Sequence, residues 1–116
     1  MTGHNLFDDV MKLLGYTDFE GNIQDTSGLK ARALTVINRI LEDIGSKAKI
    51  SKLSDTLDLS EEQAEALPYG VAMLLSLSDG NGEKNRIFTA IYNSKRAICK
   101  GAKSSVRDTL PVTYGA

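Results

Sequence analysis

Apolar side chains recur every three or four positions over several stretches of this chain, and that spacing predicts helices. Over residues 5–15, NLFDDVMKLLG, the recurring positions are Leu6, Phe7, Val10, Met11, Leu13 and Leu14. Asn5 is the expected cap and Gly15 the left-handed stop. The clearest pattern covers 29–45, LKARALTVINRILEDIG, where Leu29, Ala33, Val36, Ile37, Ile40, Leu41 and Ile44 form one stripe. Ser27 or Thr26 caps this helix and Gly45 ends it. Over 84–103, KNRIFTAIYNSKRAICKGAK, a single stripe of Ile87, Phe88, Ile91, Tyr92, Ile98 and Cys99 is predicted, with Ala90 and Ala97 at its margin.

Residues 60–79 pose a conflict. Ser60 and Gln63 match a capping box, and Glu61 and Glu62 favour the positive end of a helix dipole. Pro68 then falls inside the apolar pattern. An interior proline costs about 3 kcal/mol relative to alanine and biases the residue before it away from helical geometry. The expected solution is a break or bend at Leu67–Pro68: a short acidic turn, then a main helix starting near Pro68, where the missing N–H does no harm. From Val71 to Leu75 the segment is apolar nearly all round, which predicts a central helix. Gly70 is expected to let another backbone approach. The short turn DGNGE, residues 79–83, makes the last helix antiparallel to the central one. The last helix and the 29–45 helix should together cover the central segment.

Between these elements, 16–28 is turn-rich and reads as a loop. Residues 46–59 are weakly patterned. They read as a long connection with a helical turn or a short extended piece, laying Ile50, Leu53, Leu57 and Leu59 over an edge of the core. The predicted fold is therefore all-α: a small bundle of about four helices with long loops over 1–103, followed by an extended C-terminal tail, 104–116. That tail holds Val106, Leu110, Val112 and Tyr114, too many apolar side chains for a segment that only aids solubility.

Composition narrows the classes. At 116 residues the chain suits one domain with a modest core, and 41% apolar with 25% charged residues is ordinary for a globular protein. A net charge of −1 gives no overall pull toward nucleic acid or an anionic membrane. The single cysteine, Cys99, excludes an internal disulfide and fits a reducing compartment. The N-terminus has no basic segment leading into an apolar one, and no apolar run approaches the length of a membrane span. A soluble, cytoplasmic protein is expected.

Charge is segregated along the chain. Residues 54–83 carry seven acids (Asp55, Asp58, Glu61, Glu62, Glu65, Asp79, Glu83) and no Lys or Arg. Residues 84–107 carry seven bases (Lys84, Arg86, Lys95, Arg96, Lys100, Lys103, Arg107) and no acid. Three readings are open: a solvated surface paired across the hairpin, contact with an acidic surface of another subunit, or phosphate contact with nucleic acid. The third is the weakest, because no aromatic platform accompanies the bases.

Candidate chemistry is sparse. His4 is the only histidine and sits near the start, without partners for a triad or a metal cluster. Cys99 lies on the apolar stripe and reads as a buried structural residue. DGNGEKNRIFTA, residues 79–90, resembles a calcium loop but has Lys84 where glycine is needed and Ala90 where the bidentate glutamate belongs. The GNG within it lacks the preceding strand of a phosphate cradle. Glu61, Glu62 and Glu65 need no acid–base role at a helix start, and Tyr69 and Tyr92 read as core-edge aromatics. No enzyme activity, cofactor or metal is expected.

The run LPYGVAMLLSLSDGNGEKNRIFTAIYNSKRA, residues 67–97, resembles the C-terminal half of head–tail connector (adaptor, head-completion) proteins of tailed bacteriophages and prophages. The matching features are Leu67-Pro68-Tyr69-Gly70-Val71-Ala72, the Ser-Asp-Gly turn at 78–80, Asn85 with Phe88, and Tyr92-Asn93 followed by Lys95-Arg96. The first sixty residues add only a compatible helix pattern. The resemblance implies a structural protein of the virion neck. It would form a homo-oligomeric ring under the portal protein and join it to the next tail-completion or stopper protein, with DNA only passing through the channel and no membrane involved. Assembly would take place in the cytoplasm of the bacterial host. The family offers no catalytic residues to carry over. Candidate interface residues are Arg86, Arg96, Lys100, Lys103 and Arg107, the acids Glu61, Glu62 and Glu65 that would meet them on an adjacent copy, and Leu110 and Tyr114 of the tail. The alternative is a small helical DNA-binding regulator that uses the basic last helix.

Overall fold

The computed structural model describes residues 1–16, 27–78, 80 and 82–104; for 27–29, 78 and 101–104 only the backbone is described. Four helices follow in order: α1 (Gly3–Leu14), α2 (Ser27–Asp43), α3 (Glu61–Ser78) and α4 (Gly82–Ser104). The chain is all-α, as its periodicity predicts. Among the described residues the only strand-like pairing is one antiparallel bridge between Thr2 and Thr56. No described helix is long and apolar enough to cross a membrane. The expected tail begins at 104, but Ser104 still belongs to α4; the rest of the tail and most of the 16–28 loop lie outside the described residues.

Helix ends follow local chemistry. Gly15 and Gly45 adopt φ of 80° and 82°, the left-handed geometry that closes α1 and α2. In each case the glycine N–H and the next one bond back to the last turn: Gly15 to Lys12 and Tyr16 to Met11, then Gly45 to Glu42 and Ser46 to Leu41. The capping box of α3 forms in both directions, Gln63 N–H to Ser60 Oγ and Ser60 N–H to Gln63 Oε1, each at 3.2 Å.

The start of α1 differs from expectation. The cap is Thr2, not Asn5; its Oγ1 accepts from the Asn5 N–H at 3.2 Å. The apolar pattern begins at Leu6, but the helix reaches further back because the loop before α3 supplies acceptors. Gly3 N–H donates to Asp55 O and His4 N–H to Leu53 O, while Leu6 N–H bonds Thr2 O. The N–H groups of Gly3, His4 and Asn5, which a helix start leaves open, are thereby satisfied, and Leu6 N–H makes the first helical bond. Gly3 permits this contact, since a Cβ there would stand 2.8 Å from the Leu53 carbonyl oxygen.

That connection does lie over the core edge. Ile50, Leu53 and Leu57 are buried, and Leu59 packs against the core. It is pinned from two sides. Leu57 N–H donates to Met1 O, and the Asn38 side-chain amide pairs with both backbone groups of Ile50, at 2.8 and 2.9 Å. Asp55 accepts from the Ser51 and Lys52 N–H groups and so shapes the turn between them.

At the centre α3 contacts α4, α2 and α1. The pairs Glu65–Lys95, Tyr69–Phe88 and Met73–Asn85 run in opposite order along α3 and α4, so the hairpin is antiparallel. The expected break at Pro68 does not occur: α3 is one helix with Pro68 inside it. Leu67 and Val71 flank the proline and are 0% and 1% exposed. Each contributes roughly 1.5–3 kcal/mol by burial, enough to offset the roughly 3 kcal/mol that an interior proline costs. Ending the helix at Leu67 would turn one of them out of the core. Gly70 admits side chains rather than another backbone. A Cβ there would stand 2.7 Å from Ile40 Cγ2 and 2.8 Å from Tyr92 Cε1, where α2, α3 and α4 converge.

Two substitutions in α3 should therefore act in opposite directions. Pro68→Ala is expected to raise stability by about 1–3 kcal/mol, by restoring one helical hydrogen bond. Gly70→Ala should lower it by about 1–2 kcal/mol, because overpacking outweighs the gain in helix propensity. Urea midpoints measured at constant slope check both.

Candidate interaction surface

Helix α4 has three faces of different character. Its core line is Phe88, Tyr92 and Cys99, which are 7%, 2% and 3% exposed. At about 100° per residue, Arg96 and Lys100 follow Tyr92 round one flank, and Ile91, Ile98 and Ile87 fall on the other. The contacts fix which way each flank faces.

On the first flank α4 meets α2. The Tyr92 hydroxyl and the Arg96 Nε–H both donate to Asp43 Oδ2, the latter at 2.7 Å. Burial pushes the Asp43 carboxyl up, but hydrogen bonds from Tyr92 and Arg96, with the charges of Arg96 and Lys100, outweigh it and hold its pKa below the ordinary 3.8. Burial and the neighbouring Asp43 raise the Tyr92 phenol, so its hydroxyl remains a donor. Past this cluster lies an open depression of about 480 Å³ lined by Arg39, Ile40, Glu42, Asp43, Met73, Leu74 and Lys100. A second, of about 360 Å³, is lined by Ala31, Arg32, Thr35, Val36, Arg39, Leu74 and Leu75. The two share Arg39 and Leu74 and so form one groove along α2. Charges of both signs line it, Arg32, Arg39 and Lys100 with Glu42 and Asp43.

On the second flank the single predicted stripe of α4 proves too wide. Ile87 and Ile98 are 54% and 58% exposed, because α3 alone cannot cover so broad a face. Ile91 is half-buried between them, and Ala90, Ser94 and Ala97 are exposed. Leu77, near the end of α3, is also exposed. Lys95 lies 5.5 Å above the Tyr69 ring and 3.7 Å from Glu65.

The expected interface residues separate accordingly. Arg86, Glu61 and Glu62 are exposed. Glu65 pairs with Lys95 across the hairpin, as the first reading of the segregated charge expects, whereas Arg96 pairs with Asp43 of α2, outside the acidic stretch. Lys100 is exposed on the groove edge. Lys103 is in α4 with its side chain undescribed, and Arg107, Leu110 and Tyr114 lie outside the described residues. Residue patterns alone did not mark Asp43, Arg32 and Arg39 as belonging to a surface feature. The available signal was their position on the α2 face that carries Val36 and Ile40. His4 is exposed and Cys99 buried, as expected. Among the described residues no three His, Cys, Asp or Glu side chains come together as a metal site.

The positions that carry the phage resemblance are mostly those that lock the hairpin. Tyr69 meets Phe88 with ring centroids 6.5 Å apart, and the Asn85 amide donates to Met73 O at 2.7 Å. Gly70 receives Tyr92, and Tyr92 and Arg96 hold Asp43. No family model, curated protein or solved structure matches the chain.

The Asp43 cluster makes stability acid-sensitive in a defined way. A carboxyl with a depressed folded pKa stabilises the fold above its unfolded value, and that contribution is lost as the pH falls through the folded value. Asp55, also depressed, chiefly by the Ser51 N–H, adds to the same slope. Denaturant titrations between pH ~5 and ~2 should show a shallower loss in Asp43→Asn than in the parent chain. Asp43→Ala, which leaves the buried Tyr92 hydroxyl without its acceptor, should cost about 1–3 kcal/mol at neutral pH.

Proposed function

We propose that this chain is a structural assembly protein, a head–tail connector of a tailed bacteriophage or prophage. It acts by forming a ring under the portal and docking the next neck component. The observation that carries the reading is the bare apolar flank of α4, with Ile87 and Ile98 more than half exposed on the very hairpin that bears the resemblance. Large apolar side chains clustered in this way mark surfaces that other protein chains cover. The virion neck is the proposed location, and self-contact and the portal are the proposed partnerships.

Charge has a secondary part. Exposed ion pairs contribute about 0–1 kcal/mol each, so apolar burial holds the ring and charge selects register. Arg96 and Lys95 already serve intramolecular acids, and Arg86 and Lys100 are the described bases on α4 with the most exposed positions. The same pairing thins the basic face that a DNA-binding regulator would need.

Native mass spectrometry and cryo-electron microscopy of the purified chain should reveal closed rings, and the chain should co-purify with a co-expressed phage portal protein. Arg86→Glu with Lys100→Glu should leave helicity intact and weaken assembly in a salt-dependent way. Unchanged assembly and unchanged salt response would remove charge from the interface. Tight duplex-DNA binding with a steep salt slope would instead favour the regulator.

A further inference from the structure

We infer that α4 is built in two parts: a fixed half up to Tyr92, and an arm from Asn93 to Ser104 that two ion pairs close over one end of the groove and that opens while the rest of the bundle stays folded. This goes beyond the function proposed above and does not depend on it.

The fixed half is held by packing and by buried hydrogen bonds. The Lys84 ammonium donates to Leu14 O at the end of α1, and the Asn85 amide donates to Met73 O. Phe88 is buried beside Tyr69, and Tyr92 fills the space that Gly70 leaves. These contacts tie the first half of α4 to α1 and α3.

The arm has much less. Among its described side chains Cys99 alone is buried, while Asn93, Ser94, Ala97, Ile98 and Lys100 are exposed. Register explains the difference. Lys95 stands opposite Glu65 and the two helices run in opposite directions, so Cys99, one turn on, comes level with the start of α3 at Glu61. The last turn of α4 projects past that start, and α3 gives the arm little to pack on. Charge closes it instead: Arg96 Nε–H reaches Asp43 of α2 at 2.7 Å, and Lys95 reaches Glu65 of α3 at 3.7 Å. All four side chains keep 30% or more of their surface exposed, so dissolved salt weakens both pairs. The arm also works against itself, since Lys95, Arg96, Lys100 and Lys103 repel one another and no acid lies between residues 84 and 103. A segment with few buried apolar contacts opens more easily than the whole fold.

Opening changes the groove. Lys100 lines the 480 Å³ depression together with Glu42 and Asp43, and its charge acts on the Asp43 carboxylate. With the arm away, that end of the depression loses a wall and Asp43 loses Arg96. The arm is thus a lid whose position sets the shape and charge of the groove.

Cys99 is the chain's one cysteine and lies on the arm, so its thiol reports opening. Thiol labelling with an aromatic disulfide, and hydrogen exchange read by mass spectrometry, are followed on the full chain at neutral pH without denaturant. Raising salt from about 0.05 to about 0.5 M should speed labelling and the exchange of amides after Tyr92, leaving those of 84–92 unchanged. Asp43→Asn keeps an acceptor for Tyr92 but removes the charge that holds Arg96, and should speed both readouts roughly tenfold. Glu65→Gln should do so about two- to fivefold. Asp9→Asn, at an exposed position of α1, should change neither. Circular dichroism verifies that each variant folds. The arm is overturned if Cys99 labels no faster than global unfolding allows, or if the amides of 84–92 speed up together with those of the arm. It is equally overturned if labelling rises without amide exchange, or if neither salt nor either substitution moves the rates.

Discussion

The packing of α3 against α4 is the constraint on which the rest depends, and its tightest point is Gly70. With no Cβ at that position, Ile40 and Tyr92 reach the α3 backbone from two neighbouring helices. That approach brings the Tyr92 hydroxyl to Asp43, and Arg96, one turn further on, to the same carboxylate. A single missing side chain therefore sets the mutual position of three helices. The polar cluster then holds α4 to α2 at a place where apolar packing runs out.

The other end of the bundle is organised by backbone groups. The segment before α3 has little regular structure, yet its carbonyls at residues 53 and 55 satisfy the first N–H groups of α1, and Asn38 pairs with Ile50 as a strand would. Such a segment stays in place because its polar groups have partners and its leucines are buried. It closes the core without a fifth helix. It also leaves α4 as the helix with the least cover, since α1 and the loop occupy other sides of α3.

Incomplete cover gives α4 its functional interest. One helix can bury only part of the circumference of its neighbour, and the apolar positions of α4 extend past what α3 reaches. The same chain presents a groove on the opposite side, lined by charges of both signs. The physical basis of the functional reading is therefore this mismatch between apolar arc and covered arc.

Much of this was legible in the residues. Periodicity of three and four located all four helices; Gly15, Gly45 and the Ser60–Gln63 box marked their ends, since caps depend on side chains within a few positions. Pro68 misled because its local penalty is plain in the sequence, while the burial of Leu67 and Val71 that outweighs it exists only once three helices meet. Thr2 was missed as a cap because the acceptors that extend α1 come from residues some fifty positions away. The width of the α4 stripe was visible, but not which part of it would remain bare. The sequence by itself determined the helices and their apolar faces, because those follow from neighbours along the chain. Only the tertiary structure decided which faces are covered, which charges are paired and where the groove opens, because each depends on what another helix brings to the same place.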